Sequence, residues 1–333
     1  MYESYYGLRA KPFSLRPDPT FFFGSQGHKR ALAYLDYGLA QREGFIVITG
    51  DIGAGKTTLV RNMLGRLPAD QIVAAQLSNT YLGTEDTLRM VLAGFGVVAG
   101  AGGKSGLLLQ LETFLRDCDR QGRRALLVVD EAQNLQPRAV EELRMLSNFQ
   151  TDERSLLQTF LLGQPEFRRT LHSPELHQLR QRVIATYHLG PMDEPETRAY
   201  IEHRLRTVGW TGDPALSDDA HAAIYAHSGG IPRSTNQLCD RLLLMGYLDE
   251  LHSFSAADVA TVLVDLQAEA LPAGAPVADA ADAGSSGSLG NIGNIDQRLA
   301  RVERSVVSVL HVLKKIVGTP NNAASPAHQE YLE

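Results

Sequence analysis

Gly50-Asp51-Ile52-Gly53-Ala54-Gly55-Lys56-Thr57 is the stretch whose reading decides the fold. It fits the pattern G-x-x-x-x-G-K-[ST], and its flanks give the pattern meaning. Before it, Phe-Ile-Val-Ile-Thr at 45–49 is a short unbroken apolar run, the mark of a strand buried on both faces. After it, residues 57–67 carry helical spacing. Small residues let successive backbone N–H groups curl round a phosphate, and the N-terminus of the next helix adds positive potential. Lys56 is then the counter-charge for the terminal phosphates, and the Thr57 hydroxyl is a ligand for Mg²⁺. The quoted stretch together with Thr58 is the expected phosphate-binding segment.

Working outward, four more apolar runs follow at 72–77, 125–130, 157–162 and 184–189, with helical patterns between them. Strands alternating with helices predict an α/β doubly wound domain on a parallel sheet over 45–191. The third run, Leu126-Leu127-Val128-Val129-Asp130-Glu131, ends in two carboxylates. Ligands collect at the carboxyl ends of such strands, where the phosphate loop also lies. Asp130 is expected to hold Mg²⁺ through water and Glu131 to orient and deprotonate an attacking water. A kinase needs no such base, so the pair points to hydrolysis of ATP. Gln164, just after the 157–162 run, is the polar residue placed to sit between carboxylates and phosphate. Arg233, opening a later helix after Gly230-Ile231-Pro232, is expected to reach back to the γ-phosphate. Arg180 and Arg182, just before the last strand, are candidates for a finger inserted into a neighbouring subunit's site.

The chain has 333 residues, 44% hydrophobic and 21% charged, enough for a core and two ordinary domains. A formal charge of −6 argues against a protein that mainly coats nucleic acid. Cys118 and Cys239 have no metal-ligand spacing, so a reducing cytoplasm is expected and no disulfide framework or zinc module. The start lacks a signal peptide, and no window has eighteen apolar residues in a row, so no membrane span is expected. Residues 1–44 hold aromatics and prolines and then a helix. Residues 192–269 read as four successive helices, a small all-helical lid, with Ser217 and Ser255 as candidate caps. An Ala/Gly/Ser/Pro-rich stretch at 270–291 reads as a flexible linker, and 318–333 as a polar tail. Between them, over 292–317, Ile292, Ile295, Leu299, Val302, Val306, Val309, Leu313 and Ile316 keep a 3.5-residue period, which predicts a coiled-coil-like helix that tethers copies or docks on a partner.

Taken in order, the phosphate loop, Asp130-Glu131-Ala132-Gln133, Gly163-Gln164-Pro165-Glu166, the segment 179–183 and Gly230–Arg233 resemble AAA+ ATPases of the ExeA/GspA secretion type. So does the opening, with Tyr6-Gly7-Leu8, Pro12-Phe13, Pro17-Asp18-Pro19 and Ser25, His28, Ala31 and Leu32. The resemblance covers about residues 1–268. It implies Asp130 and Glu131 as the Walker B pair, Gln164 as sensor 1, Arg182 or Arg180 as finger, Arg233 as sensor 2, residues 1–44 as an adenine-side segment, and a homo-oligomer. Members of that type continue into a membrane span and a peptidoglycan-binding domain, and neither is seen here. A chain of this length looks like the secretion ATPases that accompany exosortase/PEP-CTERM and exopolysaccharide export, placed in the cytoplasm or held at the inner membrane by a partner. The alternative is a DNA-bound regulator of the transposition-ATPase type, for which Arg116, Arg120, Arg123 and Arg124, and Arg198, Arg204 and Arg206, are the basic clusters.

Overall fold

Five parallel strands form the sheet that the alternation predicts: β1 (Phe45–Gly50), β2 (Ile72–Leu77), β3 (Arg124–Val129), β4 (Leu157–Gly163) and β5 (Val183–Leu189). The structure is a computed structural model that describes residues 1–78, 83–100 and 102–270. Each strand boundary falls within one residue of its expected place. The order across the sheet is β2-β3-β4-β1-β5. Alternate residues of one strand face opposite sides, and both sides are covered. Leu127 and Val129 pack with Leu88, Leu111 and Leu143 on one face. Leu126 and Val128 pack with Leu35, Leu59 and Val60 on the other. This double burial is why the strands read as unbroken apolar runs; each such side chain contributes about 1.5–3 kcal/mol by leaving water.

Beyond β5 come helices Glu194–Thr207, Asp218–Ser228, Pro232–Leu248 and Ala256–Ala270. Asp193 and Glu196 close a reciprocal capping box on the first. Ser217 accepts from the Ala220 N–H at 3.3 Å, as expected of a cap. Ser255 acts differently: its hydroxyl and its N–H both donate to Asp258, at 2.8 Å each. The helical unit also holds a two-residue parallel pair, β6 (Ala215–Leu216) with β7 (Ser253–Phe254), too short to leave a pattern in the sequence. Its core takes in the chain's start, since Tyr2, Tyr6, Leu8 and Phe13 are buried with Ile201, Leu242 and Phe254. Tyr2 Oη donates to Asp240 at 2.5 Å and Tyr6 Oη to the Leu251 carbonyl at 2.9 Å. The first residues are therefore a strap on the helical unit, and Met1–Ala268 form one compact body. The expected linker and coiled-coil-like helix lie outside the described residues.

Candidate active site

β1 ends at Gly50, and the loop after it feeds helix Lys56–Leu64. Gly53 and Gly55 hold φ of +85° and +95°, where a side chain is strained. A Cβ on Gly53 would also stand 2.4 Å from Arg233 Cβ, and one on Gly55 2.8 Å from His28 Nε2. Glycine is thus required on both conformational and steric grounds. Lys56 is 6% exposed, and its Nζ donates to the Gly50 and Asp51 carbonyls at 2.6 and 2.9 Å. Burial pulls its pKa below the ordinary lysine value, with the charges of Glu131 and Asp130 acting in the opposite direction.

The sheet order explains how distant residues meet. β4 lies between β1 and β3, so the first residue after it, Gln164, emerges between the phosphate loop and the carboxylates. Asp130 is buried, and its Oδ2 accepts from Thr57 Oγ1 at 2.7 Å. Glu131 follows in the left-handed region at φ +52°, a conformation that costs a non-glycine residue about 1–2 kcal/mol and turns the chain sharply out of the strand. Gln133 Nε2 donates to Glu131 Oε2 at 2.6 Å, and Gln164 Nε2 donates to the same oxygen at 3.3 Å. Gln133 Oε1 in turn accepts from the Gln164 N–H at 3.0 Å. Two amides therefore aim one carboxylate.

A cleft of about 310 Å³ opens beside the loop, a size suited to a nucleotide-scale ligand. Ile52, Gly53, Gly55, Lys56, Thr57, Thr58 and Glu131 line one side; Phe21, Phe22 and Phe23 line another. Met192, Tyr200, Arg204, Arg233 and Asn236 close it from the helical unit. Arg233 also donates its backbone N–H to the Gly53 carbonyl at 3.2 Å, so the helical unit grips the loop. The donor set fits a magnesium nucleotide. Thr57 and Asp130 offer paired hard oxygen ligands, and the glycine loop leaves no Cβ between its N–H groups and a phosphate.

Three contributors to the cleft carried no nucleotide-site role in the sequence reading, Arg204 entering it only as a member of a basic cluster. Arg204 is 6% exposed and donates to the Pro12 carbonyl at 2.5 Å, Tyr200 Oη at 2.8 Å and the Ser14 carbonyl at 3.2 Å, with its guanidinium over Phe21. It joins strap to helical unit across the cleft. Tyr200 Oη donates to Asn236 Oδ1 at 2.7 Å. His28 is buried against the loop with Nδ1 2.7 Å from Ser25 Oγ, and burial lowers its pKa. Tyr200 and Arg204 sit in no local motif, and His28 was visible only in the opening that carries the resemblance.

The two finger candidates lie elsewhere. Arg182 adjoins Phe45, at the opposite end of β1 from the loop, so neither candidate serves its own subunit's site. Arg182 Nη1 donates to Ser147 Oγ at 2.8 Å, whereas Arg180 is exposed with one 3.4 Å contact to the His172 carbonyl. The supposed basic clusters are largely neutralised nearby: Arg116 pairs with Glu112, Arg120 with Asp117, Arg198 with Glu202 and Asp218, and Arg206 with Glu202.

Residues 39–171 match the AAA domain family. The chain is similar in fold to the ADP form of the ORC2 protein of Aeropyrum pernix, with TM-score 0.58, 14% identity, and 78% of this chain and 74% of that one covered. It is equally similar to Cdc6p from Pyrobaculum aerophilum, with TM-score 0.58, 16% identity, and 76% and 70% covered. This is an AAA+ ATPase fold. Over 260 residues the chain is also 38% identical to General secretion pathway protein A of Aeromonas hydrophila, covering 78% of this chain and 47% of that protein. The AAA+ chain thus spans about half the length of that curated relative. Among the described residues no helix is long and apolar enough to cross a membrane.

Proposed function

We propose that this AAA+ chain hydrolyses ATP with Mg²⁺ as an oligomer, and that it drives or regulates assembly of an envelope secretion or exopolysaccharide export system. One observation carries the chemistry: Glu131 is held by Gln133 and Gln164 beside the Asp130–Thr57 pair. Bound with ATP, Mg²⁺ would neutralise charge on the phosphates, with Thr57 and Asp130 as the residues that hold it. Loop N–H groups and Lys56 bind and orient the phosphate chain. Glu131, fixed by its two amides, takes the proton from the attacking water. Arg233, at the mouth of the cleft, ties the state of the phosphates to the position of the helical unit. For the finger, the exposure of Arg180 supports it over Arg182, which is engaged with Ser147.

The secretion role rests on the likeness to General secretion pathway protein A; a DNA-bound role has less support, since the basic clusters are mostly spent on nearby carboxylates. The test is steady-state hydrolysis with and without Mg²⁺. Lys56→Ala should abolish it, and specific activity should climb with protein concentration until oligomers saturate. Activity insensitive to Lys56→Ala, or constant on dilution, contradicts the reading. In cells, loss of export on replacement by Glu131→Gln supports the secretion role, and unaffected export opposes it.

A further inference from the structure

At the end of the sheet opposite the phosphate loop, a second concavity of about 190 Å³ opens where β2, β3 and β4 begin. Arg42, Arg123, Arg124 and Arg154 line it, against one acidic residue, Asp119. On a chain of net charge −6 this is a local reversal of sign. Two of the four have structural work: Arg124 Nη1 donates to the Leu39 carbonyl at 2.8 Å, and Arg154 Nε to Asp119 Oδ1 at 2.7 Å. Among the described residues the Arg123 guanidinium donates to the amide oxygen of Gln121, at 2.5 Å, and to no carboxylate. Arg42 is exposed, at the left-handed C-cap of helix Gln26–Gln41. Burial and then the charge of Arg42 pull the Arg124 pKa down, so the cleft holds cations that repel one another.

We propose that this cleft binds a phosphate-bearing ligand of headgroup or diphosphate size, at a site separate from the nucleotide loop. Guanidinium forks match phosphate oxygens in pairs, and several converging forks suit a di- or trianion better than a single carboxylate. Asp119 is already engaged with Arg154, which leaves Arg42 and Arg123 for an external anion. The volume lies below the roughly 300–1,000 Å³ of sites for drug-sized molecules, which sets the ligand's scale. β3 joins the two ends, with Arg124 in the cleft and Asp130 just past its far terminus. Six steps of about 3.3 Å place the sites about 20 Å apart, too far for one phosphate chain to occupy both.

The test titrates the full chain with inorganic pyrophosphate in metal-free buffer at physiological salt, the loop first saturated with ADP. One saturable event by calorimetry is expected, weakened about tenfold or more in the double variant Arg42→Asn/Arg123→Gln with ATP turnover unchanged. Asparagine is chosen because it tolerates the left-handed conformation at position 42. On the unaltered chain, pyrophosphate should also protect Arg42 and Arg123 from phenylglyoxal. Vesicles containing phosphatidic acid that co-sediment with the protein, are displaced by pyrophosphate and fail to hold the double variant would place the phosphate on a lipid headgroup. Pyrophosphate binding with no vesicle binding would place it on a soluble ligand. No binding up to millimolar pyrophosphate, or equal binding by parent and double variant, overturns the proposal.

Discussion

Replacing Gln133 with alanine should slow ATP turnover about 10- to 100-fold and leave ATP binding nearly intact. The one-turn helix Ala132–Asn134 delivers the Gln133 amide back onto Glu131 Oε2 at 2.6 Å, the shorter of the two amide contacts. A hydrogen bond to a charged group contributes about 1.5–3 kcal/mol, and each ~1.4 kcal/mol is a factor of ten in rate. The upper end is trimmed because Gln164, at 3.3 Å, still holds the carboxylate. Part of that hold goes too, because Gln133 Oε1 no longer accepts from the Gln164 N–H. Gln133 touches neither the loop nor Thr57 in the hydrogen-bond network, so the loss should fall on kcat and spare KM. Single-turnover hydrolysis with ATP affinity measured separately would show the split, and the melting temperature would control for folding. Gln133→Glu, which sets a second carboxylate against Glu131, should be worse than alanine. An unchanged kcat in Gln133→Ala, or a rise in KM alone, would refute the reasoning.

Three further outcomes follow from the same geometry. Gly230→Ala should destabilise the body by more than about 3 kcal/mol, seen as a large drop in melting temperature, because φ is +74° and the new Cβ would stand 1.9 Å from the Met192 carbonyl oxygen. Arg204→Met removes three hydrogen bonds, two from helical unit to strap and one to Tyr200 on its own helix, about 1 kcal/mol each, and should lower the melting temperature and raise KM for ATP more than it lowers kcat. Burial lowers the pKa of His28, His203 and His221 below the ordinary 6.5, so as pH falls the unfolded chain takes up protons before the folded one. Stability should therefore be full above that pH and decline below it, and His28→Gln should flatten the decline in pH-dependent melting.

The sheet was legible because its strands are buried on both faces, which leaves unbroken apolar runs whose ends are sharp. The loop was legible because Gly53, Gly55, Lys56 and Thr57 must stand at fixed spacing to cradle a phosphate. Gln164 was also placed from sequence, since a residue that follows a strand must emerge at the sheet's carboxyl edge. Gln133 was visible only as part of a resemblance; that its amide turns back onto Glu131 depends on the left-handed backbone at Glu131, which no spacing records. Arg204 reads as one more charge on a polar helix, and its partners Pro12 and Ser14 lie some 190 residues away. The start of the chain behaves similarly: Tyr2 and Phe13 look like an aromatic segment until the helical core they fill is in place. Arg123 and Arg124 stood out as a cluster with Arg116 and Arg120, but only the fold separates the two ion-paired members from the two that face a cleft.

The measurement closest to the central claim is ATP binding and hydrolysis by Glu131→Gln. Glutamine keeps the shape of the side chain and leaves Thr57 and Asp130 untouched, so ATP should bind with near-parental affinity while turnover falls by about 100-fold or more. Hydrolysis at the parental rate would show that the carboxylate held by Gln133 and Gln164 is not the base.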